Sequence, residues 1–118
     1  MTNPLQIVID QVEPHITVIH LSGDLTFAAL RRSKVNLPQM LQPQTRQLLL
    51  NFRAEDYMDT GGIGLLLTLI TQAQQQNCRI LIAMPNPHFQ KVFQTVGLPQ
   101  FAALHNCLDD ALIDARTQ

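Results

Sequence analysis

The chain has 118 residues, of which 46% are hydrophobic and 14% charged, and its formal net charge is −1. That is one domain's length with ample apolar content for a core. The near-zero charge excludes broad electrostatic attraction to nucleic acid or to an anionic membrane surface. Arg31, Arg32 and Lys34 form the only local basic cluster, as expected of a solvated helix face. No apolar run approaches the ~20 residues of a membrane span. The start, Met1-Thr2-Asn3-Pro4, has no basic or apolar leader character, so a cytoplasmic location and no direct membrane insertion are expected. Cys78 and Cys107 lie far apart beside apolar residues and read as reduced, inert core thiols.

Residues 5–9 read as a first strand and residues 16–21 as a second. The turn signal Glu13-Pro14 joins them as an antiparallel hairpin, which Ser22-Gly23-Asp24 ends. In residues 26–41, Ala28, Ala29, Leu30 and Arg31 favour a helix ending near Asn36, and Pro38 opens a short turn to Leu41. Residues 47–52 carry Leu48, Leu49 and Leu50 in succession, the pattern of a central strand covered on both faces.

A glycine-rich turn, residues 57–64, leads into a helix over residues 62–76. Ile63, Leu66, Leu67, Ile70 and Ala73 have the spacing of one buried face. On that reading Leu67→Ala partly unfolds the chain. Leu65 and Leu69 fall outside the face, on a stripe continued by Gln72 and Gln76 that is available to a partner. Residues 79–84 form another apolar strand, and residues 88–96 a helix stopped by Gly97 as a left-handed cap with Leu98 closing it. A short strand over residues 100–104 and a helix over residues 108–115 complete the order β-β-α-β-α-β-α-β-α. This is a single α/β domain over residues 1–118, with a mainly parallel sheet, right-handed crossovers and an antiparallel hairpin at one edge.

The residue pattern does not favour catalysis. His15, His20, His88 and His105 have none of the familiar metal-ligand spacings. There is no nucleophile elbow. Gly61-Gly62-Ile63-Gly64 lacks the Lys-Ser or Lys-Thr of a phosphate-binding loop and does not fit G-x-G-x-x-G. No metal, cofactor or enzymatic activity is expected. What remains is Asp59-Thr60 at a helix N-terminus, where unpaired N–H groups and the positive dipole end attract anions. As a plain cap the pair is worth about 1 kcal/mol, and on that basis Thr60→Ala costs about 1 kcal/mol.

Three blocks resemble the STAS domain of anti-sigma factor antagonists. They are LSGDLTFAALR (residues 21–31), LLLNFRAEDYMDTGGIGLLLTL (residues 48–69) and RILIAMPNPHFQKVFQTVGL (residues 79–98). The resemblance implies a non-enzymatic interaction module that regulates transcription by partner switching. It binds an ATP-dependent serine kinase that also restrains a sigma factor, and a serine phosphatase resets it. The family's phosphoacceptor serine falls on Gly61, its acidic residue on Asp59 and its first hydroxyl on Thr60. Thr26 stands where an acidic residue commonly follows the Gly-acid-Leu block. Gly61 has no hydroxyl, so Thr60 is the candidate displaced phosphoacceptor. The implied partner surface is Asp24, Asp59, Thr60, Gly61, Leu65 and Leu69. Two other readings stay open at this point: a cytoplasmic STAS subunit of an ABC-type lipid transporter, and a nucleotide-binding domain. A homodimer is also open, since surface charge is low.

Overall fold

A computed structural model describes residues 4–33 and 41–117. The chain runs β1 (Gln6–Glu13), β2 (Ile16–Ser22), α1 (Phe27–Ser33), β3 (Gln47–Asn51), α2 (Thr60–Gln75), β4 (Arg79–Ala83), α3 (Pro87–Thr95), a short 3₁₀ turn (Leu98–Gln100), β5 (Ala102–His105) and α4 (Leu108–Arg116). This is the expected order. The expected helix end near Asn36 and the turn at Pro38 lie outside the described residues. Among the described residues no helix is long and apolar enough to cross a membrane.

The sheet order is β1-β2-β3-β4-β5, antiparallel between β1 and β2 and parallel elsewhere. When strands add in one direction, right-handed crossovers place every connecting helix on the same face. Side chains alternate between faces along each strand. Ile19, Leu21, Leu48, Leu50, Ile80 and Ile82 therefore pack with Leu66, Leu69 and Ile70 of α2 and Phe89 and Phe93 of α3. Val18, Leu49, Leu81 and Ala83 point the other way, under Ala111 and Ala115 of α4. Leu48, Leu49 and Leu50 are all fully buried, as expected of a strand covered on both faces.

Four readings shift. β1 extends to Glu13, four residues past the apolar run, because pairing with β2 continues to Ile16 across a bulge between Gln11 and Glu13. β5 begins at Ala102, because Pro99 takes part in the 3₁₀ turn after Gly97, whose φ of 83° is the expected left-handed cap. Cys107 is exposed at the start of α4, whereas Cys78 is buried and burial pushes its thiol up to about 11.

The fourth shift concerns α2. Its buried residues are Gly62, Leu66, Leu69, Ile70 and Ala73, with Leu69 fully enclosed and Leu67 40% exposed. Both sets satisfy helical spacing. Gly62 chooses between them: a Cβ there would lie 2.2 Å from the Leu25 carbonyl oxygen, so this turn of α2 rests directly on the backbone of residue 25. That contact sets the rotation of the helix, turning Leu69 inward and Leu67 outward.

α4 is fastened by ions as well as by packing. Arg79 donates from both terminal guanidinium nitrogens to Asp114, at 3.0 and 2.9 Å, and His105 Nε2 donates to the same carboxylate at 2.8 Å. Arg79 first, then His105, holds the Asp114 carboxyl below its ordinary value.

Two outcomes are expected. In chemical denaturation Leu69→Ala costs about 2–5 kcal/mol, whereas Leu67→Ala costs less than about 1 kcal/mol. Because the Asp114 pKa is depressed in the folded state, its contribution is complete above the unfolded carboxyl value of about 4 and is lost as pH falls through the folded value. Asp114→Asn is therefore less stable than the parent chain at neutral pH, and the gap narrows on acidification. Urea midpoints across pH measure this.

Candidate functional site

The site stands at the C-terminal ends of the parallel strands, where the loops after β2 and β3 meet. Gly23, at φ 90°, turns the chain out of β2. The loops then pair as a short parallel bridge, Leu25 with Met58. Leu25 N–H donates to the Tyr57 carbonyl at 2.8 Å, and Asp59 N–H donates to the Leu25 carbonyl at 3.3 Å.

Asp56 locks this pair of loops. It is 4% exposed. Its Oδ1 accepts from Gly23 N–H at 3.0 Å and from Arg53 Nη2 at 2.8 Å, and its Oδ2 accepts from Arg53 N–H at 3.0 Å. A buried carboxylate is tolerable only with this degree of pairing. The sequence reading missed Asp56, which looks like one more surface acid in Arg53-Ala54-Glu55-Asp56. The one available signal is its place three residues after an arginine at the end of an apolar strand.

Asp59 is the N-cap of α2, and its role is double. Oδ1 accepts from Gly62 N–H at 3.0 Å and from Phe27 N–H at 3.1 Å, with Oδ2 3.2 Å from the same Phe27 nitrogen. Phe27 is the first residue of α1. One carboxylate therefore serves the N-termini of two helices, and the negative charge favoured at the α2 tip is supplied by the protein itself.

The two glycines after Thr60 do different work. Gly62 permits the backbone contact with Leu25 described above. Gly61 faces α1: a Cβ on it would lie 2.7 Å from the Phe27 Cβ, 3.1 Å from the Phe27 Cα and 3.2 Å from Asp59 Oδ1. The absence of a side chain at residue 61 is thus filled by the start of α1.

Around this contact lie side chains open to solvent. Thr60 is exposed at the first position of α2. Phe27 is 60% exposed, with the Arg31 guanidinium 5.7 Å from its ring centroid. Tyr57 is 54% exposed and meets Phe89 edge-on at 6.0 Å. Large exposed aromatics of this kind are common anchors of protein interfaces. Phe27 was not singled out from sequence, because an aromatic residue in an apolar stretch reads as core; Tyr57 opens the glycine-rich turn of residues 57–64 but was given no role of its own.

The expected surface residues divide. Asp59, Thr60 and Gly61 are consecutive at the tip, and Asp24 is half-buried in the loop that pairs with them. Leu65, one turn along α2, is half-buried and packs against the core. Leu69 is withdrawn from the surface altogether, because the Gly62 contact rotates it into the core. No group of three or more His, Cys, Asp or Glu residues suited to a metal occurs among the described residues.

The family model described as the STAS domain matches residues 7–111. The chain belongs to the STAS domain family. It is 26% identical over 91 residues to an anti-sigma F factor antagonist of Lysinibacillus sphaericus, spanning 76% of this chain and 78% of that one. Among solved structures, the phosphorylated form of the Bacillus cell fate determinant SpoIIAA superposes with a TM-score of 0.65 at 26% identity, covering 96% of this chain and 100% of the other. The unphosphorylated form of the anti-sigma factor antagonist SpoIIAA gives 0.69 at 21% identity, covering 95% and 98%. An anti-sigma factor antagonist from Mycobacterium paratuberculosis gives 0.66 at 16% identity, covering 95% and 94%. The STAS fold is thus shared with antagonists whose sequences have diverged widely.

The packing at residue 61 has a measurable consequence. Gly61→Ser forces the start of α1 to move and costs about 1–3 kcal/mol of stability. Combining it with Phe27→Ala does not relieve the contact, since both nearest atoms, Cβ and Cα of residue 27, remain; Phe27→Gly removes the nearer one and recovers part of the loss. Thermal melts of the single and double variants read the coupling between the two positions.

Proposed function

We propose that this chain is a protein-binding STAS module of the anti-sigma factor antagonist type, acting through the tip formed by the start of α1, the turn before α2 and the first turn of α2. Its partner is an anti-sigma factor with serine kinase activity, and binding frees the sigma factor that the kinase restrains. The observation that carries this reading is a solvent-facing tip, flanked by the exposed aromatics Phe27 and Tyr57 and held by Asp56 and Asp59, in a chain of this family.

The family's phosphorylation switch depends on adding nearly two negative charges within the contact surface. Position 61 has no hydroxyl to receive them, and the start of α1 occupies the space where a side chain would stand. The module therefore works without phosphorylation at that position. Thr60 is the remaining hydroxyl at the tip, exposed to a kinase and next to the Asp59 carboxylate. A phosphate on Thr60 would meet that carboxylate at close range and weaken docking through like-charge repulsion.

The test is capture of partners from a lysate of the native organism, followed by intact-mass measurement of the bait. Capture of an ATP-binding serine kinase, lost with Phe27→Asp and with Leu65→Asp but retained with Leu67→Ala, is the expected result. A phosphate on the bait that disappears in Thr60→Ala would place modification at Thr60. Kinase capture unaffected by either Asp variant, or consistent capture of ATP-binding cassette subunits in place of a kinase, overturns the reading.

A further inference from the structure

The sheet ends in two unequal edges. β5 is four residues long, whereas β1, at the other edge, is eight. Among the described residues the backbone of β1 pairs with β2 alone, so its outer N–H and C=O groups face away from the sheet. Sheet edges of soluble proteins are ordinarily short, or guarded by lysine, proline or a bulge. β1 has no lysine and no proline, and its bulge lies beyond Gln11, which leaves a straight run from Gln6 to Gln11. Within that run Val8 is 60% and Ile9 50% exposed, on opposite faces of the strand. We propose that β1 is a dimerisation edge, pairing antiparallel with β1 of a second copy of this chain about a two-fold axis through Val8.

The occupant follows from the residues of the edge itself. In an antiparallel ladder only alternate residues turn their N–H and C=O outward, so a symmetric pair of β1 strands must be centred on one residue. Centring on Asp10 sets two carboxylates against each other, which is unfavourable. Centring on Ile9 sets Val8 against Asp10 and runs into the bulged end. Centring on Ile7 uses only Gln6, Ile7 and Val8 of the strand. Centring on Val8 sets Val8 against Val8, Ile7 against Ile9 on either side, and then the Gln6 amide against the Asp10 carboxylate. Apolar side chains thus meet on both faces, and the exposed Val8 and Ile9 are covered. Asp10, the one charge in the straight run, faces a neutral donor and not a like charge. Such a contact is self-complementary and closed, and it joins two five-stranded sheets into one. Phe27, Tyr57 and Thr60 take no part in the pairing, so the dimer presents two copies of the tip.

Sedimentation velocity and light scattering of the full chain over increasing concentration test this. The mass is expected to rise from that of a monomer to twice that value. Val8→Lys sets two ammonium groups against each other and weakens association about tenfold or more. Val8 is exposed, so the melting temperature of the dilute variant stays that of the parent. Gln6→Lys tightens the dimer and Gln6→Glu weakens it, each about two- to fivefold, because only the register centred on Val8 sets residue 6 against Asp10. A monomer at every concentration, association unchanged by Val8→Lys, or the same response to Gln6→Lys and Gln6→Glu overturns the proposal. So does protection of the β1 amides from hydrogen exchange that appears only with a different protein bound, which would make this edge a strand-addition site for an extended partner segment.

Discussion

The contact between Gly62 and the Leu25 carbonyl governs more of this molecule than any other. Backbone meets backbone there, and no side chain larger than hydrogen fits between them. The approach lets the loops after β2 and β3 pair through Leu25 and Met58, brings Phe27 N–H within reach of Asp59, and fixes the rotation of α2. Core composition follows from that rotation: Leu66, Leu69, Ile70 and Ala73 are enclosed, and Leu67 is left at the surface. A helix with apolar residues on most of its circumference has no unique buried face of its own. Here a glycine against a carbonyl supplies the missing constraint.

Electrostatics at the tip follow from the same geometry. A free helix N-terminus would be an anion site. In this chain Asp59 spans two such termini, so the favourable charge is built in and the tip is already organised without any added phosphate. Asp56 does the equivalent work one turn of chain earlier, tying Gly23 and Arg53 together beneath the surface. Two neighbouring acids thus serve as fasteners, and the outer surface is left to Thr60, Phe27 and Tyr57. That division suits a protein-binding role: rigid below, accessible and partly aromatic above.

The two poles of the sheet differ in kind. At the C-terminal ends of the strands the polar groups of Asp56 and Asp59 are paired by the protein's own donors. At the N-terminal ends of β2 and β3, Gln47 keeps a buried side-chain oxygen with no partner among the described residues, and Arg46 donates to the Pro43 carbonyl. α4 connects these regions across the second face of the sheet. Arg79 and His105 grip it through Asp114, and Glu13 holds its last residue, Arg116.

The order of elements was legible in the sequence because it rests on local signals. Three consecutive leucines mark the doubly covered β3, Gly97 and Leu98 mark the end of α3, and the spacing of the strands implies parallel crossovers. The family was legible for the same reason, since its motifs are contiguous. The tip was legible as a place, through Asp59, Thr60 and Gly61, but its construction was not. Whether Leu67 or Leu69 faces inward depends on a contact between residues 25 and 62. Whether Asp56 is a surface acid or a buried fastener depends on Gly23, thirty-three residues away. That the space at Gly61 is filled depends on where α1 begins. Periodicity along one segment carries no information about the rotation of that segment against another, and only the packed tertiary structure decides it.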